Sequence, residues 1–271
     1  MGARVRAVKR CDRREFIQGV GKVGLTIATA AASVGSLGEP SNPGDTGGMI
    51  LIPGGRFFMG LNEDEVNRLS RRFGVHRSWL SSAVPRREIE LPDFHIDKYP
   101  ITNADYYTFV LDTDMPWTFG KDNPPPERIL KLPVVYLNYA AANAYAKWAG
   151  KRIPTEQQWE KAARGRRGLL FPWGNAWDPR RCFCNASNTA RAGQIGPVDA
   201  HPNGASPYGV MDLAGNVCEW TCTAYADGSN AVKGGFFNQH APFLFLAAYR
   251  NMSQLRGNAQ DYIGFRCVKE V

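Results

Sequence analysis

Six cysteines and four histidines are the residues of this 271-residue chain whose side chains could hold a soft metal, attack a carbonyl or carry electrons. Cys182 and Cys184 bracket Phe183, Cys218 and Cys222 stand four apart, and Cys11 and Cys267 lie alone towards the two ends. Cys-x-Cys followed by Cys-x3-Cys is a weak zinc signature, although four thiolates suffice in number. In an oxidising compartment the same four residues, Cys182, Cys184, Cys218 and Cys222, read as disulfide candidates, with one or two bridges between the two segments and an odd thiol left over. His76, His95, His201 and His240 show no metal-ligand spacing. His240 follows Asn238 and Gln239 and precedes the apolar stretch PFLFLAAY. These three polar residues form a candidate pocket able to orient a substrate or ligate a metal, although a lone loop histidine is more often an ordinary surface or core residue.

Such residues need a scaffold. A 44% hydrophobic content with 21% charged residues describes a globular chain. MILIPGGRFFMG, from Met49, reads as two short strands joined by a tight Pro-Gly-Gly connection. Residues 61–87 are charged and rich in arginine, and are expected to form a helix or a mobile surface insert. Large residues fall on one helical face after Asn103, a candidate N-cap. After Asn138, Tyr139, Ala142, Tyr145, Ala146 and Ala149 do the same before Gly150 stops the run. Thr155 with Gln158 fits a capping box ahead of an apolar face of Trp159, Ala162 and Ala163. Beyond Gly165, frequent Gly, Pro, Trp, Asn and Asp imply a large core with few regular elements.

The N-terminus reads as an address. A basic stretch to Gln18 leads into a weakly apolar one, Val20 to Val34, with small residues at Ala28, Ala30 and Ala32 that suit a signal peptidase. Within it Asp12-Arg13-Arg14-Glu15-Phe16-Ile17 resembles the twin-arginine export motif. The expectation is a twin-arginine signal peptide at 1–32, a flexible linker at 33–48 rich in Gly, Pro and Ser, and one folded domain at 49–271, exported to the periplasm or beyond. No apolar run reaches the roughly 18 to 20 residues of a membrane span, no lipobox is present, and no stable membrane insertion is expected after cleavage. Five of the eight formal positive charges lie in residues 1–32. The rest of the chain keeps only +3, so nucleic-acid binding is not expected.

Several long blocks carry a resemblance: MILIPGGRFFMG, FHIDKYPITNADYYTFV, GKRIPTEQQWEKAARG, FPWGNAW, YGVMDLAGNVCEW, KGGFF and IGFRCV. Their order resembles the sulfatase-modifying-factor family, that of the formylglycine-generating enzyme, from about Met49 to Val271. The resemblance implies an α/β (α+β) fold, a single compact C-type-lectin-like domain with limited regular secondary structure. It does not imply one function.

In the formylglycine-generating enzyme, two cysteines five residues apart follow the Gly-Gly pair near the C-terminus and bind copper(I), a soft ion suited to sulfur. Counted from Gly235, those positions are Gln239 and Leu244. No cysteine lies between Cys222 and Cys267, so copper is not expected and formylglycine generation is excluded in its known form. The resemblance also implies a structural calcium ion held by Asp212, Gly215, Val217 and Glu219, through side-chain oxygens at the ends of the segment and backbone carbonyls between. A hard cation seeks such an oxygen set. A second family calcium site would begin near Asn185 and Ala186, but its acidic partner segment is not recognisable here. Eukaryotic relatives pair a cysteine at the Cys267 position with one in the helix before GKR, where this chain has Ala146.

The expected function is a periplasmic accessory or maturation factor acting on a redox enzyme or a small-molecule ligand. Two alternatives stand beside it. One is a calcium-stabilised, lectin-like ligand-binding protein using the loops between Gly235 and Ile263, which resemble a retroelement-diversified variable region. The other is a non-thiol oxidoreductase on the same fold.

Overall fold

Asn62, Thr102, Asn138 and Thr155 each place a side-chain oxygen on the third backbone N–H of a helix and so fix where it begins. The computed structural model describes residues 48–117, 119, 122–186 and 192–271. The signal and linker expected at 1–32 and 33–48 lie outside the described residues except for Gly48. The helices are α1 (Glu63–Phe73), α2 (Asn103–Thr113), α3 (Tyr139–Trp148) and α4 (Glu156–Arg164). Thr155 and Gln158 close a reciprocal capping box, as their spacing predicts, and Asn138 caps α3. The cap of α2 falls on Thr102 rather than Asn103, because Thr102 and Asp105 complete a capping box of their own. Asn103 is turned inward instead, its amide donating to the carbonyls of Ile129 and Leu132. None of these helices is long and apolar enough to cross a membrane.

Strands β1 (Met49–Ile52) and β2 (Gly55–Met59) lie where the apolar runs place them, but they do not pair with each other. β1 runs antiparallel to β4 (Phe94–Asp97), which also takes β9 (Val268–Glu270), while β2 pairs with β3 (Arg87–Leu91). A third sheet carries the irregular C-terminal half in the order β7 (Arg250–Leu255), β6 (Ser229–Lys233), β5 (Cys218–Ala224) and β8 (Ile263–Gly264), with β5 and β8 parallel. Three buried clusters fill the space around these elements. One is centred on Tyr106, Tyr145, Trp220 and Phe265, one on Leu80, Phe171, Cys184 and Phe245, and one on Phe94, Trp159 and Val268.

The arginine-rich segment 61–87 is ordered. α1 buries Val66 and Leu69, and the short 3-10 turn of residues 77–83 buries Leu80 and Ala83. Trp79 lies against Phe243, and Ser82 exchanges two hydrogen bonds with Arg250. The segment is therefore built onto the edge of the loop that follows Gly235.

Candidate functional site

Two glycines set the path of that loop. Gly234 holds φ +79° against Trp159, and a Cβ on Gly235 would sit 2.3 Å from the Phe245 ring, so the backbone turns where a side chain would collide. The chain then presents Asn238 and His240 to solvent and half-buries Gln239. The Gln239 Nε2 donates to Asn251 Oδ1 at 2.9 Å, and Asn251 Nδ2 donates to the Gly234 carbonyl at 3.0 Å. The Phe236 N–H donates to Gln239 Oε1 at 3.2 Å. From the other side the Asn185 N–H donates to the Gln239 carbonyl at 2.7 Å, and Asn185 Nδ2 reaches Asn238 Oδ1 at 3.4 Å. Phe236 stacks on Tyr262 with centroids 4.4 Å apart. Leu244, on the short turn Pro242–Phe245, packs against the cluster of Phe171 and Phe245.

The two positions that would carry thiols thus hold an amide locked into a hydrogen-bond lattice and an aliphatic side chain facing the core. Amides bind through directed donors and acceptors, and neither group can act as a thiolate. Asn185, Asn251 and Tyr262 belong to this site but were not legible as such from the sequence. Nothing in their local spacing marks them, since they reach Gln239, Asn238 and Phe236 from other segments.

The histidines are not brought together. His76 caps the 77–83 turn, His95 is half-buried on β4 opposite Leu51, His201 packs edge-on to Phe183, and His240 is exposed. Burial lowers the His201 pKa. Among the described residues no group of three or more His, Cys, Asp or Glu side chains is placed to hold a metal.

The segment from Asp212 to Glu219 winds through left-handed backbone at Asp212, Gly215 and Asn216. Gly215 is required there, because a Cβ would meet the Phe183 carbonyl at 2.4 Å. Asn216 clamps the turn: its Nδ2 donates to Asp212 Oδ2 (2.9 Å) and the Gly196 carbonyl (3.0 Å), while its N–H donates to the Phe183 carbonyl (2.9 Å). Glu219 is fully buried and held on a fork: Arg266 donates to both its oxygens at 2.7 Å and Trp159 Nε1 to Oε2 at 2.8 Å. Arg266, also fully buried, spends its remaining donors on the carbonyls of Asp97, Lys98 and Met211.

Arg266 thus pairs with Glu219, whereas Asp212 is held by Asn216. Burial pushes the Asp212 carboxyl up to about 7, against the pull of Asn216 and Arg266. A carboxylate so disfavoured by burial would be stabilised by a cation, and Glu219 Oε1 accepts one bond where a carboxylate oxygen can accept two. A calcium ion held here would draw on these two acids, with backbone carbonyls needed to complete the set.

The disulfide expectation is not met. None of Cys182, Cys184, Cys218, Cys222 and Cys267 is bridged to another. The two segments lie in different parts of the core, Cys182 and Cys184 with Phe171 and Phe245, and Cys218 and Cys222 along β5 with Trp220. Each finds other partners: the Cys184 thiol donates to the Pro179 carbonyl and the Cys218 thiol to that of Tyr262. A hydrogen bond with Cys184, then burial, raise the Cys182 pKa well above its ordinary value, and burial does the same to Cys218 and Cys267.

Behind the loop, Lys233 is fully buried between Glu156 (3.3 Å) and Glu160 (2.9 Å). Arg164 donates to Glu160 at 2.8 Å and Arg250 to Glu156 at 2.6 Å. This network ties α4 to β6 and to the start of β7, the strands that flank the Gly234 turn. From the sequence only the Thr155–Gln158 cap and the apolar face of α4 were legible, not these charges.

Residues 36–271 match the sulfatase-modifying factor enzyme 1-like domain. The chain is 32% identical to the uncharacterized protein YfmG of Bacillus subtilis, with 87% of this chain and 57% of that protein covered. It is 28% identical to the inactive C-alpha-formylglycine-generating enzyme 2 of mouse (86% and 87% covered), and 34% identical to the hercynine oxygenase of Mycolicibacterium smegmatis (66% and 46% covered). The chain thus spans about half the length of YfmG and of the hercynine oxygenase. Among solved structures, PvdO from Pseudomonas aeruginosa superposes with a TM-score of 0.64 at 21% identity, covering 82% of this chain and 94% of that one. Treponema denticola variable protein 1 gives 0.61 at 16% identity, covering 82% and 95%. These two likenesses establish the formylglycine-generating-enzyme type of C-type-lectin-like fold. The chain belongs to the sulfatase-modifying factor enzyme 1-like family, and it has no cysteine between Cys222 and Cys267.

Proposed function

We propose that this chain is an exported accessory or maturation factor that recognises a redox enzyme or a small molecule by hydrogen bonding instead of oxidising it through copper thiolates. The observation that carries the reading is the Gln239–Asn251 amide pair, 2.9 Å between Nε2 and Oδ1, where the family's first thiol would stand. Exposed Asn238 and His240 flank it, so the loop offers donors and acceptors to a partner at little cost in ordering. The Arg13-Arg14 motif supports export. Calcium is the cofactor we assign, held by Asp212, Gly215, Val217 and Glu219. It would supply fixed positive charge beside two buried acids and take no part in chemistry.

Incubation of the protein with a sulfatase peptide, copper and oxygen tests the negative half, and no formylglycine is expected. Robust formylglycine formation overturns the reading. For the positive half, affinity isolation from the periplasmic fraction is expected to recover a copper- or haem-bearing protein with the wild type and less of it with Gln239→Ala. Equal recovery by the two removes Gln239 from the recognition surface.

A further inference from the structure

We propose that the open cavity of about 530 Å³ formed by residues 173–181, remote in sequence from the Gly235 loop, binds an acidic saccharide, a sugar bearing a carboxylate. Its apolar part is two half-buried indoles. Trp173 rests one face on Phe171, at 5.5 Å and nearly parallel, and Trp177 packs on Phe245 at 4.8 Å. Both supporting phenylalanines are fully buried, so the core holds the indoles in place. The two rings lie 5.9 Å apart and are inclined by 42° to each other. A flat aryl ligand cannot lie parallel to both of two planes so inclined, whereas the C–H faces and edges of a sugar ring can touch each.

The rim is cationic and preorganised. Asp178 accepts from Arg180 Nε (2.9 Å) and NH2 (3.0 Å), and from Arg181 Nε (3.3 Å). These hydrogen bonds, Arg180 first, hold the Asp178 carboxyl well below the usual carboxylate range, so it stays charged and keeps both arginines fixed. Arg181 also donates to the Asn203 carbonyl, and Arg72 of α1 donates to that of Asn175. Two guanidiniums thus meet one carboxylate, an excess of one positive charge, and these bonds leave Arg180 NH1 and Arg181 NH2 for a ligand. A planar fork of N–H donors matches a carboxylate. Asn175 spends its Oδ1 on the Leu170 N–H, which leaves its amide nitrogen to donate to a hydroxyl.

The test is calorimetric titration of the full-length protein with D-glucuronate, D-glucose and acetate, together with NMR of the seven indole N–H groups. Saturable binding of glucuronate, with shifts confined to two indoles of which Trp177→Phe deletes one, is expected. The Arg180 side chain is 81% exposed, so Arg180→Glu will fold, and it is expected to weaken glucuronate by about five-fold or more. Glucose binding as tightly as glucuronate overturns the charge argument. Acetate matching glucuronate overturns the saccharide. No saturable glucuronate signal, or an unchanged Arg180→Glu variant, overturns the site.

Discussion

Gln239 and Asn251 face each other across the turn after Gly235, with Nε2 of the first donating to Oδ1 of the second at 2.9 Å. Asn251 is the pivot, because its own Nδ2 also holds the Gly234 carbonyl. Asn251→Ala leaves both groups without that partner. A half-buried polar group so stranded costs about 1–3 kcal/mol, and a fall in thermal midpoint with that equivalent is expected. The midpoint of Gln239→Ala should fall less, since Asn251 keeps Gly234. Equal stability of Asn251→Ala and wild type would show the lattice to be incidental.

Arg266 and Glu219 are both fully buried and form a fork with two 2.7 Å bonds. Arg266→Met strands the Glu219 carboxylate beside Asp212 and frees three carbonyls of their donor. Removal of one member of a buried pair costs about 3–5 kcal/mol, so this variant is expected to be among the least stable single changes in the domain. Chemical denaturation measures it. A loss below about 1 kcal/mol would mean that water or a cation replaces the guanidinium without penalty.

Calcium removal follows from the same loop. An ion that binds only the folded chain stabilises it by about 2.7 kcal/mol at a hundred times its Kd. Calcium is therefore expected to raise the thermal midpoint, magnesium to do so less, and Asp212→Ala to abolish the response. Magnesium prefers a smaller octahedral site and gives up its waters reluctantly. A midpoint indifferent to calcium and chelator sinks the assignment.

What could be read from the chain in advance was local. The Thr155–Gln158 box and the Asn138 cap lie within a few residues of the helices they start, and both form. β1 and β2 were recognisable as strands, yet their partners were not, because Ile50 pairs with Ile96 and Phe57 with Ile89 through register that no short window contains. The site divides in the same way. Gln239 and Leu244 were located by counting from Gly235, whereas Asn251, Asn185 and Arg266 act across the fold. Arg266 lies 47 residues from Glu219, and no local pattern ties the two together.

The thiols give a prediction that opposes the cysteine count. Without reductant, all five of Cys182, Cys184, Cys218, Cys222 and Cys267 should alkylate once the protein is denatured. In the native state Cys222 should react first, being partly exposed while the others are buried. Burial raises its pKa as well, so even this reaction should be slow near neutral pH, where little thiolate is present. Mass spectrometry of protein recovered from an oxidising compartment reads the outcome directly, and a bridge between Cys182 or Cys184 and Cys218 or Cys222 would contradict this core.

Glu160 sets the expected response to acid. Burial pushes its pKa up, but Lys233, Arg164 and the Gly60 N–H outweigh that and bring it below the ordinary 4.5. The folded chain therefore binds this proton less readily than the unfolded one, and the stabilisation is complete above pH 4.5 and lost as pH falls through the lower folded value. Lys233→Met removes the ammonium shared by Glu156 and Glu160, at a cost of about 3–5 kcal/mol near neutral pH. Protonation of Glu160 removes the charge that Lys233 balanced, so the gap between variant and wild type should narrow below pH 4.5. Stability curves for the two proteins between neutral and acidic pH decide it, and a gap of constant size would show that Lys233 acts through packing against Trp159, whose ring lies 5.8 Å from its Nζ, and not through charge.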